Sequence, residues 1–255
     1  MSRIIGIVSG KGGVGKTITA INLGIALQEL GEQVTVVDAD MTVSNLGVQL
    51  GTFSFDVSLQ DVVSGKEHIL NSIHHHPMGL TIIPSSLSVD DVYTGLKPNS
   101  KKLRKDLKKL KGIVLVDCPP GLTDDALSVM EAVDDVIVVT NPDMPSVTDA
   151  IKVIKISRDL KKNVLGIVVN RVQGTNYELR PAEIEIMCEA PIISKIPEDK
   201  IIKKSIFEEM PVVKYSPYSK PSIEFRRLAH YLTNRAFQEP RNLFFKRLLE
   251  KLRGF

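Results

Sequence analysis

The chain predicts a doubly wound α/β fold: a single, mainly parallel sheet with helices on both faces, followed by a C-terminal amphipathic helix. Three observations carry this. Short runs of Ile, Val and Leu recur without polar alternation, as strands covered on both faces require. Helical patterns fill the intervals between those runs. No linker rich in Gly, Ser or Pro divides the 255 residues, a length that suits one large core. Residues 1–239 read as one domain and residues 240–255 as a tail.

The first strand, Ile4–Val8, leads straight into a glycine-rich stretch, so it reads as buried strand and not as a secretory leader. A helix over Thr17–Leu30 follows, stopped by Gly31, the residue that takes a left-handed turn at no steric cost. Strands Gln33–Asp38 and Leu80–Pro84 come next. His74-His75-His76, ahead of Pro77, has no second ligand group at metal spacing and reads as loop. Residues Lys101–Leu110 form a helix with Leu103, Leu107 and Leu110 on one side and lysines on the other, the pattern of a solvated face more than of a nucleic-acid surface. Strand Ile113–Asp117, helix Thr123–Ala132, strand Val136–Thr140, helix Ser146–Leu160 and strands Val164–Asn170 and Ile192–Ile196 complete the alternation.

A hydrophobic content of 43% and a charged content of 25% are ordinary globular values, so disorder is not the default reading. Cys118 and Cys188 fit neither a disulfide framework nor a metal pair, and read as buried thiols in a reducing, cytoplasmic compartment. No run of 18 apolar residues offers a membrane span. The net charge of +3 is localised. Residues 241–255 hold five basic residues and one acid; without them, 28 basic and 29 acidic residues remain. The basic excess belongs to the tail.

The strongest motif is Gly10-Lys11-Gly12-Gly13-Val14-Gly15-Lys16-Thr17, which satisfies G-x-x-x-x-G-K-[ST] between a strand and a helix. Glycines let backbone N–H groups turn inward around phosphates, and the helix adds its positive end. Lys16 is then placed to reach the β- and γ-phosphates, and the Thr17 hydroxyl to ligate Mg²⁺. Two further strands end in carboxylates, Asp38 with Asp40, and Asp117 ahead of Pro119 and Gly121. Carboxyl ends of parallel strands face the ligand crevice, so these acids gather beside the phosphates. Asp117 reads as the residue that holds Mg²⁺ through water, and Gly121 gives the following loop freedom to respond to the γ-phosphate. Asn170 with Arg171, and Pro197-Glu198-Asp199, follow late strands, where such a sheet places the nucleoside.

A second lysine inside the loop, Lys11, makes the string resemble the deviant Walker A box of the MinD/ParA ATPases. The resemblance spans Arg3 to about Glu239, with anchors at residues 10–17, 38–47, 117–121, 170–171 and 197–199. It implies an ATP- and Mg²⁺-dependent homodimer in which Lys11 crosses to the partner's nucleotide. Asp38 and Asp40 become the first switch and ligate Mg²⁺ through water, with Asp40 orienting the attacking water. Pro119 and Gly121 form the second switch. Asn170 reads the adenine edge and Pro197–Asp199 line its pocket. The loop Met41–Gly47, with Asn45, resembles the MinD branch most, where it helps bind a regulator or cargo. Ile18 departs from the second Thr of many relatives, at a position expected to contribute backbone only.

The tail, placed on a helix at roughly 100° per residue, gathers Phe244, Phe245, Leu248, Leu249, Leu252 and Phe255 within about 140°. Lys246, Arg247, Glu250, Lys251 and Arg253 occupy the rest. A bulky apolar face beside a cationic one suits an anionic membrane surface, and MinD proteins resemble the chain here too. The expectation is a slow switch ATPase, peripheral at the inner face of the cell membrane in its ATP form, serving spatial positioning. A ParA-like DNA-partition ATPase is the alternative, disfavoured by the net acidic body. An iron–sulfur carrier lacks its cysteines, and a tyrosine kinase its C-terminal tyrosines.

Overall fold

Val, Ile and Leu occupy consecutive positions of the central strands because each strand serves two cores. The computed structural model of the chain describes residues 2–42, 44–86 and 98–252, apart from the side chains of Leu249, Lys251 and Leu252. Among these residues one sheet comprises β1 (Arg3–Val8), β2 (Val34–Asp38), β3 (His74–His75), β4 (Thr81–Ile83), β5 (Ile113–Asp117), β6 (Asp135–Thr140), β7 (Asn163–Val172) and β8 (Ile192–Pro197). Their spatial order is β3-β4-β2-β5-β1-β6-β7-β8. All neighbours run parallel except β3, which is antiparallel to β4.

The helices are α1 (Lys16–Glu29), α2 (Leu46–Gln49), α3 (Leu59–Ser64), α4 (Ser100–Leu107), α5 (Asp124–Ala132), α6 (Met144–Asp159), α7 (Pro181–Cys188), α8 (Lys200–Phe207), α9 (Val212–Tyr215), α10 (Lys220–Leu232) and α11 (Leu243–Leu252). Residue parity sorts the strand side chains between the two faces. Ile4, Val8, Val114, Val116, Val136 and Val138 pack with α4, α5, α6 and α7. Ile5, Ile7, Leu115, Ile137 and Val139 pack with α1, α9 and α10. Each such side chain, fully buried, contributes roughly 1.5–3 kcal/mol before chain entropy is set against it.

The doubly wound expectation holds. The histidine run differs from its loop reading: His74 and His75 pair with Ile82 and Thr81 as a short edge strand. The rings are structural, His74 Nε2 meeting the Val57 carbonyl at 2.9 Å and His76 Nε2 the Leu50 carbonyl at 3.0 Å. On α4, Leu103 and Leu107 are buried, as the periodicity requires. Several of its cations are spent within the chain: Lys102 donates to the Val62 and Val63 carbonyls, Arg104 and Lys108 bind Asp134, and Lys109 binds Asp106. Both cysteines are free and buried, and burial pushes each thiol up, that of Cys188 to about 11. Among the described residues no helix is long and apolar enough to cross a membrane.

Candidate nucleotide site

Three adjacent strands deliver their ends to one place. In the order β2-β5-β1, Asp38 stands in register with Asp117, and Ile7 of β1 with Asp117 on the other side. The chain leaving β1 becomes the glycine-rich loop, and α1 starts at Lys16. Gly13 and Gly15 take φ of 77° and 101°, the left-handed region that a Cβ penalises. Gly10 has a different constraint: a Cβ there would lie 2.5 Å from Asp149, so the loop sits directly on α6.

The carboxylates divide the work. Thr17 Oγ1 donates to Asp117 Oδ2 at 2.5 Å, while Asp117 Oδ1 is buried and accepts no hydrogen bond among the described residues. Such an orphaned hard oxygen beside a hydroxyl fits the expected Mg²⁺, which prefers oxygen donors. Asp38 is instead the organiser of the loop after β2. Its Oδ2 accepts from Ser44 Oγ and from the N–H groups of Asn45 and Leu46, and its Oδ1 from the Asp40 N–H. Ser44 also donates to the Ser85 carbonyl, and Ser85 to the Asp38 carbonyl, tying this loop to the end of β4. Asp40 is nearly buried and accepts from the Thr42 N–H at 3.3 Å. Val43 lies outside the described residues.

Burial, and then the charge of Asp117, pushes the Asp38 carboxyl up. Burial raises Asp117 as well, against the lowering effects of Lys16 and the Thr17 hydroxyl. Two acids in register at the ends of buried strands cannot both ionise cheaply without a cation. Lys16 is 8% exposed and faces them. The second predicted switch closes over the loop: the Gly121 N–H donates to the Ser9 carbonyl at 3.0 Å, and Pro120 lies close to Gly12. Ile18 packs against the α1-side core.

Lys11 points to a residue the sequence reading missed. Its ammonium lies 3.5 Å from Asp143, in the turn between β6 and α6. Asp143 is the N-cap of α6, accepting from the Ser146 N–H and hydroxyl. Burial pushes its carboxyl up, but those hydrogen bonds and Lys11 more than offset this and hold it below the usual range. The available signal was its place at the end of a strand neighbouring β1.

Toward the nucleoside end, the β7–β8 register shifts between Val169 and Val172, and Arg171 takes φ of 58°. This bulge turns the buried Asn170 onto the loop, where Nδ2 donates to the Val14 carbonyl at 2.7 Å. Asn170 is therefore a brace of the phosphate loop, a role the adenine-edge expectation did not include. Arg171 meets Glu198 at 4.0 Å, and Asp199 caps α8 through the Ile201 N–H. Pro197, Glu198 and Asp199 line an open cavity of about 820 Å³ whose far wall is made by Arg247 and Glu250 of the tail.

The tail helix α11 is present and reaches its own domain through its charged side. Ser216 Oγ and the Tyr218 N–H donate to Glu250 at 2.9 and 3.0 Å. Arg247 Nε donates to the Tyr218 carbonyl at 2.8 Å, and Lys246 lies over the Tyr218 ring. Phe244, Phe245 and Leu248 are left 75%, 64% and 45% exposed. Arg253 and Phe255 lie outside the described residues.

Comparison with known proteins agrees with this geometry. The CobQ/CobB/MinD/ParA nucleotide binding domain family matches residues 5–212. An uncharacterized ATP-binding protein of Methanocaldococcus jannaschii is 34% identical over 238 residues, 93% of this chain and 90% of its own. The cell division ATPase MinD of Pyrococcus furiosus superimposes with a TM-score of 0.86 at 36% identity, covering 92% of this chain and 99% of the other. The septum site-determining protein MinD of Pyrococcus horikoshii, solved with Mg-ADP, gives 0.84 at 35% identity, over 91% and 96%. With its loop lysines, its paired strand-end acids and these relatives, the chain belongs to the MinD/ParA family as a MinD-like P-loop ATPase.

Proposed function

We propose that this protein is a nucleotide switch that holds a membrane surface in its ATP form and leaves it on hydrolysis. The ADP form is monomeric or weakly associated, and ATP with Mg²⁺ draws two copies face to face. The N–H groups of Gly12–Thr17 hold the phosphates, with Lys16 neutralising charge as it develops on the transferred group. Lys11 supplies a second cation to the partner's nucleotide, and Asp40 orients the attacking water. Thr17 and, through water, Asp117, Asp38 and Asp40 would hold Mg²⁺, which would supply positive charge to the phosphates. Asp38 connects that centre to the loop through Asn45 and Leu46, which supports its reading as a switch that presents Met41–Gly47 to a regulator or cargo. Pro119 and Gly121, the latter pinned to Ser9, form the second switch. Asn170, Arg171 and Pro197–Asp199 flank the nucleoside.

The observation that carries the membrane reading is the orientation of α11. A terminal helix that merely completed the fold would bury its phenylalanines; this one spends Glu250 and Arg247 on the domain and leaves Phe244, Phe245 and Leu248 outward. One such helix is a weak, reversible anchor, and two in a dimer roughly double its free energy. The cycle then places something in the cell, such as a division site or a surface organelle.

Co-sedimentation with anionic liposomes in Mg²⁺-ATP and Mg²⁺-ADP tests this. Binding in ATP only, lost on deletion of residues 241–255 with nucleotide binding intact, is the expected result. Equal binding by the truncated chain, or none in ATP, would refute it.

A further inference from the structure

Helix α8 follows the Pro197–Asp199 loop and faces two ways. Ser205 is buried, and Ile201 and Ile202 pack against the α1-side core. Lys200, Lys203, Lys204 and Phe207 fall at i, i+3, i+4 and i+7, a single stripe along the opposite face. All are exposed, Phe207 to 85%. The stripe adjoins the tail, because Lys200, Lys203 and Lys204 line the cavity that Arg247 and Glu250 close from the other side.

Around α4, Lys102 and, past its end, Lys108 and Lys109 bind carbonyls and carboxylates of their own chain, while Lys101 and Lys105 have no ion-pair partner among the described residues. Lys203 has a loose partner in Glu198 at 3.7 Å, whereas Lys200 and Lys204 have no ion-pair partner among the described residues. Two nearby acids are committed, Asp199 capping α8 and Glu250 accepting from Ser216 and Tyr218, while Glu208 and Glu209 follow Phe207 as exposed acids off the stripe. An open cationic stripe ending in a solvent-exposed aromatic ring, beside a helix that turns two more phenylalanines outward, complements an anionic lipid surface. The ammonium groups reach headgroup phosphates, and the ring enters the headgroup–acyl boundary.

We propose that α8 is a second lipid-contact element, with Lys200, Lys203, Lys204 and Phe207 lying on an anionic membrane together with the tail. This rests on the membrane reading of the tail and extends it from one helix to a surface of two. A two-point contact fixes the orientation of the body on the bilayer, which a tail on a flexible connection would leave free.

The chain has no tryptophan, so Phe207→Trp and Phe245→Trp each install a sole reporter in the full-length protein. Both are measured in Mg²⁺-ATP with phosphatidylglycerol-containing vesicles carrying brominated acyl chains. Blue-shifted, quenched emission from both reporters is expected. Quenching of the Phe245→Trp reporter alone would overturn the α8 contact and leave the tail reading intact. Silence from both would overturn both. A Phe207→Trp response to duplex DNA in place of vesicles would reassign the stripe to nucleic acid. Independently, Lys200→Gln with Lys204→Gln should weaken vesicle binding on the order of 30-fold, the loss of two cations near an anionic surface. Unchanged binding by a variant with wild-type melting and nucleotide affinity would overturn the proposal.

Discussion

The phosphate end and the tail end of this molecule hold their functional groups by opposite means. At the phosphate end the glycine-rich loop, the loops after β2 and β5 and the start of α1 are bound to one another through buried groups. Asp38 gathers four donors, Asn170 reaches across 156 residues to Val14, and Gly121 closes on Ser9. At the tail end a ten-residue helix rests on the domain through Glu250, Arg247 and Lys246, with Phe244, Phe245 and Leu248 exposed. The first arrangement preorganises a site whose geometry must survive turnover. The second spends a few partly exposed polar contacts that a stronger attraction can replace. The proposed switch draws on both: a rigid reader and a cheaply moved output.

The comparison can be broken most decisively at the loop. Lys11→Ala should lower phosphate release by about 10³-fold and abolish ATP-driven dimerisation in size-exclusion chromatography, while ADP affinity is largely kept, because the lysine acts across the interface. Retention of both activities would place the loop's function within one subunit.

Next in size is a pH effect. Asp38 and Asp117 have folded-state values above the ordinary carboxylate range, chiefly from burial and then from each other on Asp38 and against Lys16 on Asp117. Between the ordinary and the raised values the folded state therefore binds more protons than the unfolded one. Stability of the nucleotide-free protein should fall as pH rises across that window, at about 2–4 °C of melting temperature per kcal/mol for a chain of this size. Asp117→Asn keeps an acceptor for Thr17 and removes one charge, so it should flatten that slope and weaken the stabilisation by Mg²⁺-ADP. A slope equal to that of the wild type would show that the pair does not titrate there.

At the tail, Glu250→Gln should speed tryptic cleavage at Lys246 and Arg247 by about 5- to 10-fold, the scale of one charge-assisted contact at a half-buried site. Unchanged cleavage would mean that Glu250 does not hold α11. The smallest effect is expected at the periphery of the phosphate end. Asp143→Asn retains the α6 cap and removes only the charge facing Lys11, so it should change melting and phosphate release by less than about 2-fold in equilibrium or rate. A larger change in release would make Asp143 part of the Lys11 machinery.

Much of the nucleotide end was legible because its chemistry is written in contiguous strings. Gly10–Thr17 needs its glycines for backbone reasons and its lysines for charge, and strand-end acids follow from strands that are themselves visible. Helices α7 to α10 were not marked by the pattern that exposed α1 and α6. Helices α7, α8 and α9 are short, and which face of α8 is outward is known only once Ile201 and Ile202 are seen to pack against the core. His74–His75 became a strand because β4 offered an unpaired edge, which no two-residue string announces.

By itself the sequence determined the two-sided sheet, the phosphate loop, the strand-end acids and an amphipathic tail, since burial periodicity and backbone demand are local properties. The tertiary structure alone decided that Asn170 braces Val14, that Asp143 faces Lys11, that Asp38 ties down the loop after β2, and that α11 docks by its charged side beside α8. Each of those is a choice among polar partners far apart in the chain, and a hydrogen bond or ion pair has no periodicity from which its partner can be read.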